Sequence, residues 1–223
     1  MKKSSIFILI GLLPLLGCLQ KEEQKVEVRG EIAHLGQGKL QITYVNTKNQ
    51  ISFDTVSSGK KGTFSFKIQT HQTLSPIKIY FVEGKCWTTL FANPGDNIRI
   101  RGDLAYVDLL SIRGGFVNND LDRFKNKIRA LYKERLDILA TNKLPEEKNQ
   151  LRLAEINKLL KRAAKDFILE NRSSIASVVL IQDFFYQDYD LETLDLLTAL
   201  EGDAKNCKMA VKMLDGINKW GIL

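Results

Sequence analysis

The residue with the clearest chemical role in this sequence is Cys18, because of the segment that precedes it. Lys2 and Lys3 give a positively charged start, and an apolar run extends from Ile6 to Leu16 before Gly17. A charged start, a short apolar core and a small residue at the end are typical of a secretory signal peptide. The run is too short to span a bilayer, which takes about 20 residues. We therefore predict that the chain is exported and cleaved directly before Cys18.

The ending Leu15-Leu16-Gly17-Cys18 resembles a bacterial lipobox. In that family the cysteine sulfur receives a diacylglycerol, the peptide is cut before the cysteine, and the new N-terminus is acylated. The resemblance implies a lipoprotein signal peptide over residues 1–17 and a lipidated Cys18 that binds the membrane. Each buried acyl methylene contributes about 0.8 kcal/mol, so several chains together anchor a protein without a transmembrane helix. The alternative is an ordinary secreted protein with a chance cysteine.

Residues 18–25 are rich in charge, and we interpret them as a tether between the anchor and the folded part of the chain. Leu19, rather than an aspartate, follows the cysteine, which differs from the inner-membrane retention signal of many lipoproteins. Gln20-Lys21-Glu22-Glu23 resembles the export signal that sends lipoproteins of Bacteroidota-type bacteria to the outer face of the outer membrane. We expect a lipid-anchored outer-membrane protein, and both the periplasm-facing and the surface-exposed orientation stay open.

Composition and charge narrow the classes of partner. The 223 residues are 44% hydrophobic, which is ordinary for a globular protein, and no second apolar run reaches spanning length. The formal net charge of +7 includes two lysines of the signal peptide, and the remaining excess is scattered along the chain. A nucleic-acid-binding protein usually gathers its basic residues into a patch or stripe. We therefore expect no nucleic-acid partner.

Besides the lipidation site the chain has two cysteines, Cys86 and Cys207, which do not form a Cys-x-x-Cys redox pair. Cys207 shares a helical spacing with Ala210, Leu214 and Ile217, so we predict a small buried thiol on an apolar helical stripe. Exported proteins form disulfides. The sequence leaves a bridge between the two cysteines open.

The pattern over residues 26–117 predicts a β-sandwich-like domain. Seven short segments carry apolar or aromatic residues at alternate positions, as half-buried strands require. These segments are Val26–Ile32, Leu40–Tyr44, Ile51–Thr55, Phe64–Ile68, Ile77–Phe81, Trp87–Phe91 and Ile98–Ile100. Short runs of turn residues separate them, which is typical of an antiparallel sandwich or barrel-like sheet.

The period changes to that of helices over residues 118–223. Pro145 followed by two glutamates predicts a helix start, with the proline at the first helical position. Ile175 to Tyr186 is more uniformly apolar than the segments around it and should form the most buried helix. We expect Asp190 to cap a short helix whose apolar positions are Leu191, Leu194, Leu197 and Leu200, and Gly202-Asp203 to lead into a last helix. The fold class is α+β, with an N-terminal antiparallel β-sandwich-like domain followed by a C-terminal helical region.

A family resemblance follows from the order of several short motifs. They are Asp54-Thr55-Val56, Gly62-Thr63-Phe64-Ser65-Phe66, Pro76 with Tyr80, Asn93-Pro94-Gly95-Asp96-Asn97-Ile98, Gly102-Asp103, and Gly114-Gly115 with Asn118 and Leu121. Over roughly residues 26–124 this order resembles the domain of unknown function 4369, which precedes thioredoxin-like domains in many Bacteroidota lipoproteins. Such domains carry a Trp-Cys-x-x-Cys site, and no position of this sequence matches it. The redox chemistry of the family is therefore not carried over.

Other residues with catalytic chemistry are assigned structural roles. His34 lies near a predicted strand end and His71 in a polar loop, without a nucleophile at a recognisable elbow, so we predict no catalytic triad. Asp96 and Asp103 flank a predicted strand, and we interpret them as turn residues. We expect a protein that is not an enzyme.

The acidic residues near the end of the predicted buried helix do not match a calcium-binding pattern. Asp183, Asp188 and Asp190 lack the glycine and the terminal glutamate that a calcium-binding loop requires. We expect neither a metal nor a cofactor.

The aromatic residues of the predicted strands permit two interpretations. Tyr44, Tyr80, Phe81 and Trp87 either fill the core or form an exposed face that stacks on sugar rings or on a partner chain. Aromatic residues at alternate strand positions usually fill the core, and we favour that interpretation.

These observations favour a non-catalytic binding or interaction module of the cell envelope, with an unknown ligand. Its expected partners are the membrane through Cys18 and either an envelope protein or a glycan. The alternative is an accessory or truncated relative of envelope thiol–disulfide oxidoreductases that lacks the catalytic thioredoxin-like domain.

Overall fold

Strands form the first half of the chain and helices the second half in the computed structural model, which describes residues 25–141, 145–186 and 191–219. The strands are β1 (Lys25–Ala33), β2 (Lys39–Val45), β3 (Ile51–Ser57), β4 (Thr63–Gln69), β5 (Ser75–Phe81), β6 (Cys86–Ala92), β7 (Asn97–Asp103) and β8 (Ser111–Arg113), with a short 3-10 helix at Leu104–Leu109. The helices are α1 (Phe116–Thr141), α2 (Glu146–Glu170), α3 (Ile175–Phe184), α4 (Leu191–Thr198), α5 (Gly202–Asn206) and α6 (Lys208–Lys219). The predicted α+β class is confirmed.

Several of the sequence predictions fall on other parts of the chain. The signal peptide, Cys18, the tether up to residue 24, Asp188 and Asp190 lie outside the described residues. Below, residues 25–113 are called the sandwich region and residues 116–219 the helical region.

The strands of the sandwich region form two four-stranded sheets. The first sheet has the order β4-β1-β7-β8, and the second has the order β3-β2-β5-β6. The described pairs are antiparallel except β1 with β7, which run parallel with Val28 opposite Ile98. A parallel pair cannot be joined by a hairpin. Between β1 and β7 the chain forms all four strands of the second sheet and also β4 of the first sheet.

The core of the sandwich region lies between the two sheets. Alternate side chains of β1, β2, β4, β5 and β7 point into it, as the period of two predicts. The buried set includes Val26, Val28, Ile32, Leu40, Ile42, Phe64, Phe66, Ile68, Ile77, Ile79, Phe81, Ile98 and Ile100. Gly30 makes room for one of them, because a Cβ atom at this position would collide with the ring of Phe64.

On two strands the alternation predicts the strand but not which face is buried. Ile51 and Phe53 of β3 are exposed, at 67% and 74%. On β6 the inward residue is Leu90, whereas Trp87 is 64% exposed and Phe91 packs into the core of the helical region. Both are edge strands of the second sheet, and Phe53 and Trp87 lie on the face that points away from the first sheet.

Helix α3 is the centre of the helical region. Its residues from Ile175 to Ile181 are all buried, which confirms the prediction of a most buried helix. Helix α2 begins one residue later than predicted, because Pro145 has an extended backbone and takes the N-cap position. Leu191 of α4 is 66% exposed rather than packed, while Leu197 and Leu200 are buried as expected.

The last predicted helix is divided in two at Cys207. This residue has an extended backbone between α5 and α6. Its sulfur accepts a hydrogen bond from the backbone N–H of Ala210 at 3.5 Å, so it caps α6 instead of lying on the apolar stripe of a helix. A thiol sulfur is a weak hydrogen-bond acceptor, and it is not among the usual N-cap groups. The sequence therefore carries no ordinary N-cap signal at this helix start.

The two regions are joined by the side chain of Asn118 on the first turn of α1. Its amide donates to the carbonyl of Phe91 at 2.6 Å, and its carbonyl oxygen accepts the N–H of Phe91 at 2.9 Å. The same amide group contacts the carbonyl oxygen of Gly114 at 2.6 Å. Asn118 thus pairs with edge strand β6 as another strand would, and it is only 2% exposed. These hydrogen bonds hold the start of α1 beside the second sheet.

A glycine turn brings α1 to that position. Gly114 and Gly115 have φ angles of 110° and 73°, in a region that side chains disfavour. A Cβ atom at Gly114 would also collide with the backbone of Asn97. In the second turn of α1, the buried carboxylate of Asp122 accepts a hydrogen bond from Arg113 Nε at 2.9 Å. The junction between the regions therefore combines specific polar contacts with the packing of Phe91 into the core of the helical region.

Candidate functional site

The junction leaves a cleft of about 870 Å³ between the sandwich region and the helical region. Strand β6 contributes Trp87 and Thr89 from its outward face, and the 3-10 helix contributes Asp108. Helices α1, α2 and α3 form the other walls. A concave site of this size, at a boundary between two structural units, is typical of small-ligand pockets.

One face of α1 runs along the cleft. Leu121, Lys125, Ile128, Tyr132 and Arg135 line it and follow one another at intervals of three or four residues. This spacing places side chains on the same face of a helix. The helix therefore presents a lysine, a phenol and a guanidinium group to the cleft along an otherwise apolar stripe.

Lys125 is the most deeply placed of these charged groups. Its Nζ donates to the carbonyl oxygen of Leu110 at 3.4 Å. Burial lowers the pKa of the Lys125 ammonium below its ordinary value of 10.5, because the charged form loses hydration. The carboxylates of Asp108, Asp122 and Asp183 act in the opposite direction and favour the charged form. Burial and the neighbouring carboxylates thus act in opposite directions on the pKa of Lys125, and burial is the larger influence.

Two carboxylates line the cleft with Lys125. Surrounding protein raises the pKa of Asp183 above its ordinary value, Lys125 opposes this shift, and Asp108 adds to it. Asp183 lines the cleft and part of the residue is accessible to solvent. Burial also raises the pKa of the Tyr132 phenol, and the negative charge of Asp108 adds to the effect. Tyr132 thus keeps its proton and its capacity to donate a hydrogen bond.

The remaining two cations of the cleft have protein partners that hold them in place. Arg135 Nε donates to Asn157 Oδ1 at 2.9 Å, and the guanidinium lies 5.9 Å from the centroid of the Tyr132 ring. Lys161 Nζ lies 3.6 Å from Glu192 Oε2 and 5.0 Å from the centroid of the Phe185 ring. Both of these cations of the cleft walls therefore have defined protein partners.

The structure places the previously considered histidine and aspartates in turns. His34 Nδ1 lies 2.7 Å from Asp103 Oδ1, and Asp103 also accepts the N–H of Ala105 as the cap of the 3-10 helix. The hydrogen bond from His34 is the main reason why the pKa of Asp103 is lowered. Asp96 accepts the N–H of Asn93 within a turn. These contacts confirm the interpretation of both aspartates as turn residues.

Cys86 and Cys207 are both free thiols. Burial raises the pKa of Cys86, and the nearby carboxylate of Asp108 raises it further. A raised pKa favours the thiol over the reactive thiolate. Among the described residues, no group of three or more histidine, cysteine, aspartate and glutamate side chains is placed to hold a metal ion.

The expectation for the aromatic residues is partly wrong. Phe81 is buried in the core, and Tyr44 and Tyr80 are half-buried. Trp87 is largely exposed and lines the cleft, because the helical region covers the outward face of β6 at Phe91 but not at Trp87.

Sequence reasoning missed Lys125, Asp108 and Tyr132 as site residues. One signal for Lys125 was present, namely a lysine at helical spacing between the apolar Leu121 and Ile128. Asp183 was considered only for a calcium loop, and its proximity to Lys125 depends on how α1 and α3 pack.

Comparisons with known proteins add little to this description. No protein-family model and no curated protein matches the sequence. A solved structure of pneumolysin aligns with 14% sequence identity and a TM-score of 0.21, over 41% of this chain and 23% of that chain. At this TM-score the similarity supports no conclusion about fold or function. Within the described residues, no helix is both long and apolar enough to cross a membrane.

Proposed function

We propose that this chain is a lipid-anchored, non-catalytic binding module of the bacterial outer membrane, and that it binds a small ligand in the cleft between its two regions. The observation that carries the binding role is the cleft itself. Its walls are partly apolar, and a small number of polar groups with defined partners converge on it, as in small-molecule sites.

The anchoring part of the proposal rests on the sequence. The order of charge, apolar run and small residue before Cys18 supports export, and the resemblance to a lipobox supports acylation of its sulfur. The charged residues that follow suit a solvated tether. Acyl chains then hold the binding module at the membrane surface.

The alternative role, as an accessory to envelope thiol–disulfide exchange, rests on the family resemblance. The environment of Cys86 does not strengthen it, because burial and Asp108 both favour the protonated thiol. Capture of a mixed disulfide with a thioredoxin-like protein would support this alternative over the first.

Metabolic labelling with an alkyne-bearing palmitate tests the anchor. We expect the full-length protein to be labelled and to fractionate with the outer membrane, whereas Cys18→Ala is unlabelled and no longer fractionates with the outer membrane. Cys86→Ala is the matched control, since it removes a different cysteine and should keep the label. Equal labelling of the wild type and Cys18→Ala would contradict the anchor.

Solution NMR on the full-length Cys18→Ala chain tests the cleft. The probes are maltose, N,N′-diacetylchitobiose, alanyl-alanine and AMP, which represent neutral sugars, peptides and a nucleotide. We expect at least one probe to shift the Trp87 indole and Gln182 side-chain amide signals. Shifts confined to other surfaces, or chemical turnover of a probe, would overturn a non-catalytic binding role for the cleft.

A further inference from the structure

The charges on the cleft walls are mixed in sign. Lys125, Arg135 and Lys161 bring three positive charges, while Asp108 and Asp183 bring two negative ones. A ligand of strong single-sign charge would meet repulsion from one of these sets, and its desolvation would not be compensated. The walls are suited to a ligand without net charge that offers many hydrogen-bond donors and acceptors.

The polar groups of the walls include both donors and acceptors. The carboxylate of Asp183 accepts hydrogen bonds, the ammonium of Lys125 donates them, and the amide of Gln182 does both. A sugar hydroxyl also donates one hydrogen bond and accepts others. Adjacent hydroxyls of a pyranose ring therefore match a wall on which donors and acceptors are interspersed.

Trp87 supplies an apolar platform at the sandwich side of the cleft. Its side chain is 64% exposed on the outward face of β6, where its sheet neighbour is Tyr80 of β5. The face of an indole ring carries negative electrostatic potential, which attracts the slightly positive C–H groups on the face of a pyranose. An exposed tryptophan costs hydrophobic free energy in the empty protein, and a stacked ring would recover it.

We propose that the cleft binds a neutral saccharide, with the ring of Trp87 stacked on one sugar face and with Asp183, Lys125 and Gln182 hydrogen-bonded to its hydroxyls. This inference rests on the proposed binding role of the cleft and names the class of ligand. The volume of about 870 Å³ lies within the usual range for small-ligand sites. A peptide also has mixed donors and acceptors, but its backbone offers no ring face to Trp87.

Isothermal titration of the full-length Cys18→Ala chain with maltose, cellobiose, lactose and N,N′-diacetylchitobiose tests the ligand class. We expect at least one disaccharide to bind, and Trp87→Ala to weaken its affinity about tenfold or more. Trp87→Phe should restore part of the loss, because a smaller aromatic face remains. Asp183→Asn should weaken binding independently, since the amide accepts fewer hydrogen bonds than the carboxylate.

Phe53→Ala is the matched control for Trp87→Ala. Phe53 is also exposed on the outward face of the second sheet, but on β3, three strand spacings or about 14 Å from β6. Its removal should leave disaccharide affinity unchanged. Equal effects of the two substitutions would overturn the assignment of the stacking platform.

The NMR panel separates failure of this inference from failure of the binding role. If alanyl-alanine or AMP shifts the Trp87 and Gln182 signals while the disaccharides do not, the saccharide assignment is wrong and the binding role stands. If none of the probes perturbs these signals, both proposals are overturned.

Discussion

The sandwich region and the helical region are stabilised in different ways. In the sandwich region, backbone ladders satisfy the polar groups of the strands, and one layer of alternate apolar side chains joins the two sheets. In the helical region each helix satisfies its own backbone, so the described helices contact one another mainly through side chains. The two regions meet where Asn118, a side chain of a helix, pairs with the backbone of strand β6. Burial therefore stabilises each region, whereas a few polar contacts define the cleft between them.

Truncation of a core side chain in the sandwich region should give the largest loss of stability. Phe81 is fully buried between the sheets, and Phe81→Ala should lower the free energy of unfolding by about 3–5 kcal/mol through lost burial and a new cavity. Urea denaturation followed by circular dichroism measures the change. Phe53→Ala, on an exposed face of the same sheet, should change stability by no more than about 0.5 kcal/mol. Similar losses for both variants would contradict a core that lies only between the sheets.

The second largest loss of stability should follow from removing the polar contacts of Asn118 that join the two regions. Asn118→Ala removes three contacts and leaves the N–H and C=O of Phe91 without their partner, so we expect a loss of about 2–3 kcal/mol in unfolding free energy. Asn119→Ala is the matched control, because Asn119 accepts a single hydrogen bond, from the N–H of Gly114. The control should cost about 1 kcal/mol or less. If Asn118→Ala costs no more than the control in urea denaturation, the strand-like pairing is not what joins the regions.

The sandwich region was more predictable from the sequence than the helical region. A period of two is imposed by the backbone itself, so segments such as Phe64–Ile68 and Ile77–Phe81 lie within the observed strands β4 and β5. The exposed faces of β3 and β6 were not predictable, since they depend on which face of the second sheet packs against the first. The parallel pairing of β1 with β7 is likewise a property of the whole topology.

In the helical region, the sequence indicated the long helices but not their breaks and junctions. The break at Cys207 is made by a sulfur cap, without the glycine or proline that usually marks a helix end. The cleft was less predictable still. Asp108, Lys125 and Asp183 come from three separate elements, and the docking of α1 through Asn118 brings them to one cleft.

The pH dependence of the unfolding free energy measures how far burial in the cleft disfavours the charged form of Lys125. The unfolded chain keeps this proton up to a pKa near 10.5, whereas the folded protein releases it at a lower pH. Between these two pKa values the unfolded state binds more protons, so the free energy of unfolding rises with pH. The Lys125→Met variant has no ionisable side chain at this position. We expect the stability of the wild type relative to this variant to increase as the pH rises toward 10.5.

Charged groups on several elements face Lys125 and bear on this measurement. Asp108, Asp122 and Asp183 favour its charged form, while Arg129 on the same helix disfavours it. Urea midpoints of the wild type and Lys125→Met at pH 7, 8, 9 and 10 give the comparison. Profiles that stay parallel over this range would show that the ammonium is as well stabilised in the cleft as in water.

The smallest loss of stability should come from removing the ion pairs on the surface between α1 and α2. Arg152 donates to Glu134 at 2.7 and 2.9 Å and to Glu155 at 2.6 Å, and all three side chains are accessible to solvent. Exposed ion pairs contribute little because water and salt screen them. We expect Arg152→Ala to shift the urea midpoint only slightly, and less at high ionic strength than at low.

The ion pair has a pH signature as well as a salt dependence. The hydrogen bond from Arg152 lowers the pKa of Glu134 below its ordinary value of 4.5. Any stability that the pair provides is therefore complete above that value and is lost as the pH falls through the lowered pKa. The small difference between the wild type and Arg152→Ala should accordingly disappear in acid. A large difference that survives both acid and high salt would show that Arg152 acts through packing of its aliphatic stem, and that the helical region depends on this contact as the sandwich region depends on its core.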